Sequence, residues 1–269
     1  MRFKKISKLA NLVAATIIFA NAVSGNVRAE EFGHKDESLS SVQEQSQILG
    51  DFALSTDFSW LNNYVFYGLT YDKKPVAQNT TTLTYLGDKI RPLDSLSLQN
   101  FVNYSTDQEE INETDGLIVG TMPLGKSFSA FGGYGLYYSP TDWFEKSQEF
   151  FGGISANSLP LNPTLTIAHD FDKGEGTYFQ LSGSYSSDPV RLGKLELGAE
   201  LSGRVAYNRG YWIGDENSGL SHAVVKAEFP INYKGICIAP FIEAQKSLND
   251  SPAIEDISTY GIKATINLK

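Results

Sequence analysis

A single cysteine, Cys237, stands in 269 residues, so no internal disulfide can form and a small stapled secreted scaffold is excluded. Histidine is nearly as scarce: His34, His169 and His222 are scattered along the chain, and no CxxC or HxxxH spacing accompanies them. That pattern points away from a metal cluster. No GxSxG motif is present, which removes the commonest signature of a serine hydrolase. Basic residues are outnumbered, 22 against 31 acidic, for a formal charge of −9, so the chain is a poor partner for nucleic acid. Long apolar runs are lacking as well. The longest, Leu9 to Val23, is broken by Asn11 and Asn21 and falls short of the roughly 20 residues that a spanning helix needs.

That run is preceded by Arg2, Lys4, Lys5 and Lys8 and followed by Val27-Arg28-Ala29. A basic start, an apolar stretch and a small-residue site predict a signal peptide over 1–29, cleaved after Ala29. Cleavage removes five basic side chains (Arg2, Lys4, Lys5, Lys8, Arg28) and no acidic ones, which takes the charge from −9 to −14. Residues 30–49 are rich in Ser, Gln and Glu and read as a flexible periplasmic tail, with a short helix around Ser41 to Leu49 as the alternative. The remainder, 50–269, has the size of one β domain.

What is abundant is alternation. Leu195, Leu197, Ala199, Leu201 and Gly203 share one face of a run whose other face carries Glu196, Glu200 and Arg204, as the two-residue period of a strand requires. Twelve strands are predicted: 51–70, 79–87, 95–104, 113–123, 127–138, 146–156, 164–172, 177–186, 194–205, 218–229, 235–245 and 258–268. Most are near the 9–11 residues that cross a bilayer when tilted, whereas soluble strands average about five or six. Asn62-Asn63 interrupts the first run, which reads as one long strand with a bulge. Connectors alternate between short Pro-, Gly- or Asn-containing turns and longer acidic loops, with Asp172 to Gly176 as a tight exception. Short turns at one rim and long loops at the other are the habit of outer-membrane barrels.

Alternation alone does not separate a lipid-facing barrel from a secreted soluble β-sandwich, because the same string serves both folds inside out. Strand length favours the barrel. So do aromatics near strand ends, among them Tyr64, Phe66, Tyr67, Tyr71, Tyr137, Tyr138, Trp143, Phe144, Phe171, Tyr211 and Phe229, which resemble the girdles at membrane interfaces. Faces free of charge, such as Phe150, Gly152, Ile154 and Ala156, point the same way, since a basic residue at mid-bilayer costs roughly 2–4 kcal/mol. Pro240 predicts a bulge, because proline cannot donate to a neighbouring strand. Glycines inside strands, as at Gly132, Gly133 and Gly152, fit curvature or close packing better than a phosphate cradle.

The opposite faces carry Asp57, Glu149, Asp170, Glu196, Glu200, Arg204, Lys226, Glu228, Glu243 and Lys263, the residues expected to line the lumen. Glu196, Glu200 and Arg204 are expected to pair with Lys226 on the next strand. Seven acids against three bases predict a mild cation preference. Ser221-His222 is no catalytic pair on this reading, because adjacent strand residues face opposite ways. Glu196 with Glu200 reads as salt-bridged wall rather than as a hydrolytic pair.

Leu54-Ser55-Thr56-Asp57-Phe58, then Asn63-Tyr64-Val65-Phe66-Tyr67-Gly68-Leu69 and Lys74-Pro75-Val76-Ala77-Gln78 resemble the start of the TorF-type porin family. In that family a first strand like "tSdYvfRGi" precedes a "Pavq" loop; Tyr67 stands where the family usually has arginine. The runs Leu159 to Thr166 and Gly219 to His222 are similar to other barrels of this kind. The resemblance implies a bacterial outer-membrane β-barrel inserted by the barrel-assembly machinery. Many such barrels end in an aromatic residue, whereas this chain ends Ile266-Asn267-Leu268-Lys269.

The expectation is an all-β, antiparallel up-and-down transmembrane barrel of about twelve strands. Surrounded by outer-membrane lipid, it would pass small hydrophilic solutes or ions, with no cofactor, no metal and no enzymatic step. The rival is a non-conducting structural or binding barrel, plugged by its charge network and with acidic loops meeting partners or divalent ions outside.

Overall fold

The computed structural model describes residues 51–140 and 146–268. The expected signal peptide and tail, His34, Trp143, Phe144 and Lys269 lie outside the described residues.

Seventeen strands form: β1 (Phe52–Leu61), β2 (Tyr64–Phe66), β3 (Leu69–Asp72), β4 (Val76–Tyr85), β5 (Ser95–Ser105), β6 (Glu110–Leu124), β7 (Phe128–Tyr138), β8 (Ser147–Ala156), β9 (Thr164–Asp170), β10 (Gly176–Ser186), β11 (Val190–Leu192), β12 (Leu195–Leu197), β13 (Glu200–Gly210), β14 (Gly214–Glu228), β15 (Ile231–Tyr233), β16 (Ile236–Ser247) and β17 (Ile257–Leu268). Twelve of them close a ring in the order β16-β14-β13-β10-β9-β8-β7-β6-β5-β4-β1-β17, and β17 pairs back onto β16. Every ladder is antiparallel. The molecule is therefore a closed twelve-stranded barrel with no free edge in the ring, which satisfies each stave's backbone groups from both sides. Strands β11, β12 and β15 extend β10, β13 and β14 beyond the ring at the short-turn rim.

Two faces follow from the pleat. Phe150, Ile154, Leu165, Ile167, Leu181, Val225, Ile242, Tyr260 and Ile262 are exposed on the outside. Ser, Thr, Asn, Gln and charged side chains alternate with them on the inside. Glycine lets aromatic rings lie flat on the inner wall: a Cβ on Gly153 would come within 2.5 Å of the Phe131 ring, its partner across the β7–β8 ladder.

The first predicted strand is broken. Leu61 is already the end of a stave, paired with Val76 of β4, and the chain between them turns into the barrel as the two-stranded hairpin β2–β3. The expectation of one strand over 51–70 is thus corrected. Continuing the stave past Leu61 would leave its backbone groups without a ladder partner, whereas folding inward buries Tyr64 and packs Phe66 and Tyr67 against rings of the inner wall. Several far-rim loops are shorter than expected: 106–109 and 211–213 are tight, because β6 and β14 each run 15 residues. No bulge occurs at Pro240. It pairs in register with Ile262, and its carbonyl accepts from Phe229 N at 3.0 Å where the neighbouring strand breaks between β14 and β15. The proline nitrogen faces Phe229 as well, so its missing donor falls where that ladder ends.

Candidate functional site: an inward hairpin across the bore

The turn of the β2–β3 hairpin is Tyr67-Gly68, with φ of 49° and 86°. Two successive positive φ values give the turn that matches strand twist in a two-residue hairpin. Gly68 is required twice over, since a Cβ there would also stand 2.1 Å from His222 Nδ1.

The tip reaches the opposite wall. Tyr67 OH donates to Glu149 Oε1 at 2.9 Å and Tyr211 OH donates to Oε2 at 2.6 Å, while Tyr137 OH also donates to Oε1. Gln245 Nε2 donates to the Gly68 carbonyl at 2.8 Å. Rings fill the spaces between these bonds: Tyr67 lies 4.8 Å from Tyr178 and 4.9 Å from Tyr211, Phe66 lies 5.5 Å from Tyr137, and Tyr64 lies 6.1 Å from Phe101. At the stem, Ser105 Oγ donates to Asp72 at 2.7 Å and Lys73 pairs with Glu255 at 2.8 Å. The hairpin spans the bore near the long-loop rim, and Glu149, Tyr178, Tyr211 and His222 around it are 0–1% exposed.

Among the described residues, Glu149 accepts from hydroxyls alone. Asp170, across the β8–β9 ladder, accepts from Ser147 Oγ and from the backbone N–H groups of Asp172 and Gly174. Burial, and then the Glu149 charge, push the Tyr67 hydroxyl well above the ordinary tyrosine range, and burial raises Tyr211 likewise. Both remain protonated donors at any physiological pH.

The wall below the hairpin differs. Arg204 pairs with Glu243 at 2.9 Å, and Glu228 receives both Lys226 and Lys263, the latter at 2.9 Å. A polar cavity of about 200 Å³ opens there, lined by Thr164, Gln180, Ser182, Ser202, Arg204 and Lys226 among others.

Of the ten residues expected on the lumen, Asp57, Glu149, Asp170, Glu200, Arg204, Lys226, Glu228, Glu243 and Lys263 have inner-face positions in the ring. Glu196 does not belong to the ring. It lies on β12, in the extension, and pairs with Arg191 of β11 at 3.0 Å. The expected pairing of Glu196, Glu200 and Arg204 with Lys226 is replaced by the Arg204–Glu243 and Lys226–Glu228 contacts, since β14 lies between β13 and β16 and Arg204 is long enough to cross it. Several expected girdle aromatics, Tyr64, Phe66, Tyr67, Tyr137 and Tyr211, instead turn inward around the hairpin. Tyr138, Phe171 and Phe229 remain exposed outside.

Ser221 and His222 also depart from expectation. An irregularity between Val205 and Tyr207 in the β13–β14 ladder lets both turn inward, so Ser221 Oγ lies 2.9 Å from His222 Nδ1. Both are fully buried, and His222 serves as the seat of Gly68.

Sequence reading missed Glu113 and Asp115, which project inward from β6 opposite Asn103 and Phe101. Their spacing of two was a usable signal. It was masked because Leu117 and Val119 continue the same face.

No family model matches the chain, and no curated protein matches it. Among solved structures it is similar to the KdgM porin (12% identity, 80% of this chain and 99% of that one, TM-score 0.42). It is also similar to the NanC porin (7%, 81% and 100%, TM-score 0.45) and to the outer membrane protein Omp33 of Acinetobacter baumannii (9%, 81% and 98%, TM-score 0.37). The closure of its own strand ring is what establishes the barrel.

A substitution at the tip should release the hairpin. Gly68→Ala forces a methyl group into His222 in a backbone region costly for alanine, so docking should weaken by about 1–3 kcal/mol. The expected result is faster cleavage of the hairpin by added chymotrypsin, with the barrel intact by gel mobility. Wild-type cleavage rates would refute the docking.

Proposed function

We propose that the chain is an outer-membrane barrel of the TorF-type porin kind that passes small hydrophilic solutes or ions, its bore narrowed by the β2–β3 hairpin. On this reading residues 1–29 direct export, residues 30–49 lie in the periplasm, and the barrel-assembly machinery inserts the ring. The carrying observation is a closed ring with an apolar outside and a charged, hydroxyl-rich inside. Lipid tolerates the first surface, and water and solutes need the second. The nine expected residues with inner-face positions comprise six acids and three bases, and Glu113 and Asp115 add two further acids, which supports a mild cation preference. Glu196, outside the ring, contributes little to it.

The test is reconstitution. Sugars should swell proteoliposomes, and a salt gradient across a planar bilayer should give a cation-selective reversal potential that moves toward zero in Glu200→Gln/Glu243→Gln. Anion preference, or a reversal potential indifferent to the double substitution, would sink the selectivity claim. A second reading, the non-conducting barrel, is favoured by one observation: the hairpin tip is bonded to the far wall through Glu149 and Gln245. Absence of swelling with wild-type protein would support it.

A further inference from the structure

The cavity beneath the hairpin has a wall of one chemical kind. Register sets it as rows across three staves: Ser184, Ser202 and Lys226 in one, Ser182, Arg204 and Val224 in the next. Gln180 and Arg204 stand one inner position below Tyr178 and Ala206, which are 1% exposed and packed with Tyr67, so the cavity lies directly on the short-turn side of the hairpin. It holds about 200 Å³ and two cations border it, while the acids nearby, Glu200, Glu228 and Glu243, are not among the residues that line it. Neither cation is spent by its ion pair. Arg204 gives Glu243 one N–H from each terminal nitrogen, at 2.9 and 3.5 Å, which leaves Nε–H and two further N–H groups of its five. Lys226 gives Glu228 one of its three. Tyr178 OH donates to Gln180 Oε1 at 3.3 Å, so the Gln180 amide N–H groups are left for the cavity. The wall is therefore rich in donors and hydroxyls and has no carboxylate of its own.

We propose that this cavity binds the carboxylate of a short-chain hydroxy acid, a molecule of a few carbons such as glycerate, within the bore. Charge fixes the first half: Arg204 presents a planar fork that matches a carboxylate, and Lys226 beside it is a point charge. With Glu228 and Glu243 drawing on the same two cations, the cavity holds one negative charge rather than two. Volume and hydroxyls fix the second. About 200 Å³ is below the roughly 300–1,000 Å³ of pockets for drug-sized ligands, and the hydroxyls of Ser182, Ser184 and Ser202 both give and take hydrogen bonds with a hydroxylated skeleton. No aromatic ring lines the cavity, so a larger apolar ring has nothing to stack on. The site is local. Four of the bore's acids, Glu113, Asp115, Glu149 and Asp170, lie around the hairpin above it, so an anion station and a mild overall cation preference coexist. The inference rests on the channel reading, because a water-filled bore is what brings such a solute to the cavity.

The test is saturation-transfer NMR on the full chain refolded in detergent, with glycerate against glycerol, the neutral molecule of the same hydroxylated skeleton. Expected is a saturable glycerate signal that weakens as salt is raised, with affinity for glycerol lower by about tenfold or more. Arg204→Gln/Glu243→Gln removes the guanidinium together with the acid it pairs, and should lower glycerate affinity by about the same factor. Lys226→Met leaves Glu228 with Lys263 and is titrated alongside, so that a double variant lacking the heat-dependent gel shift of a folded barrel does not end the test. Lys194→Gln, an exposed base in the turn between β11 and β12, should bind like wild type. Glycerol binding as tightly as glycerate, folded Arg204 and Lys226 variants that bind glycerate like wild type, or a wild-type chain with no saturable signal would each overturn the proposal. Binding and passage are read separately: a chain that binds glycerate without swelling liposomes keeps the site and loses the channel, and one that swells them without binding does the reverse.

Discussion

Excising Tyr64 to Asp72 and bridging Asn63 to Lys73 with two glycines is expected to raise single-channel conductance several-fold, the largest change that any variant here should produce. The staves on either side need no repair, because Leu61 and Val76 already face each other at the rim. Asn63 keeps its bond to the Ser258 carbonyl at 2.9 Å, so β1 stays tied to β17. What goes is the only described segment that crosses the bore. Without it Glu149, Tyr178 and His222 meet water, which can satisfy them, and a twelve-stranded ring is wide enough to leave a path of the order of a small solute. The measurement is planar-bilayer conductance alongside liposome swelling, with heat-dependent gel mobility as the check on folding. A folded deletion variant with wild-type conductance would show that the hairpin does not restrict passage.

Glu149→Leu should be the most damaging single substitution. Three tyrosine hydroxyls, from β2–β3, β7 and the loop after β13, converge on that one carboxylate. Removing it strands all three donors in a region with almost no exposure, and each stranded donor costs about 1–3 kcal/mol. Since 1.4 kcal/mol is about tenfold in an equilibrium, the hairpin should spend most of its time undocked. The observable is the guanidinium midpoint of the refolded barrel together with chymotrypsin cleavage after Tyr67. Glu149→Gln keeps an acceptor oxygen and should fall between. If the leucine and glutamine variants match wild type in both assays, the hydroxyl cluster contributes nothing to docking.

Much of the architecture was legible because a barrel stave writes itself locally. Turn residues such as Gly125, Asn157 and Gly193 punctuate the chain, and period-two alternation between them yields twelve segments that recur as the twelve staves. The hairpin was not legible for the same reason. Tyr64, Val65, Phe66 and Tyr67 alternate just as a stave would, and alternation carries no information about which neighbour a strand pairs with. Ser221 and His222 illustrate the second limit: a one-residue irregularity in the ladder reverses a facing rule that holds everywhere else. Glu113 and Asp115 illustrate the third, since acids sharing a face with Leu117 and Val119 do not declare whether that face is wet.

By itself the sequence determined the strand count and the two chemically opposed faces of the sheet, because each depends on residues within about ten positions of one another. Tertiary structure alone decided that the segment after Leu61 enters the bore, that Glu149 gathers three tyrosines, that Arg204 pairs with Glu243, and that Glu113 and Asp115 are enclosed without a basic partner. Those are contacts between residues tens of positions apart, set by ring closure and register, and no local pattern encodes them.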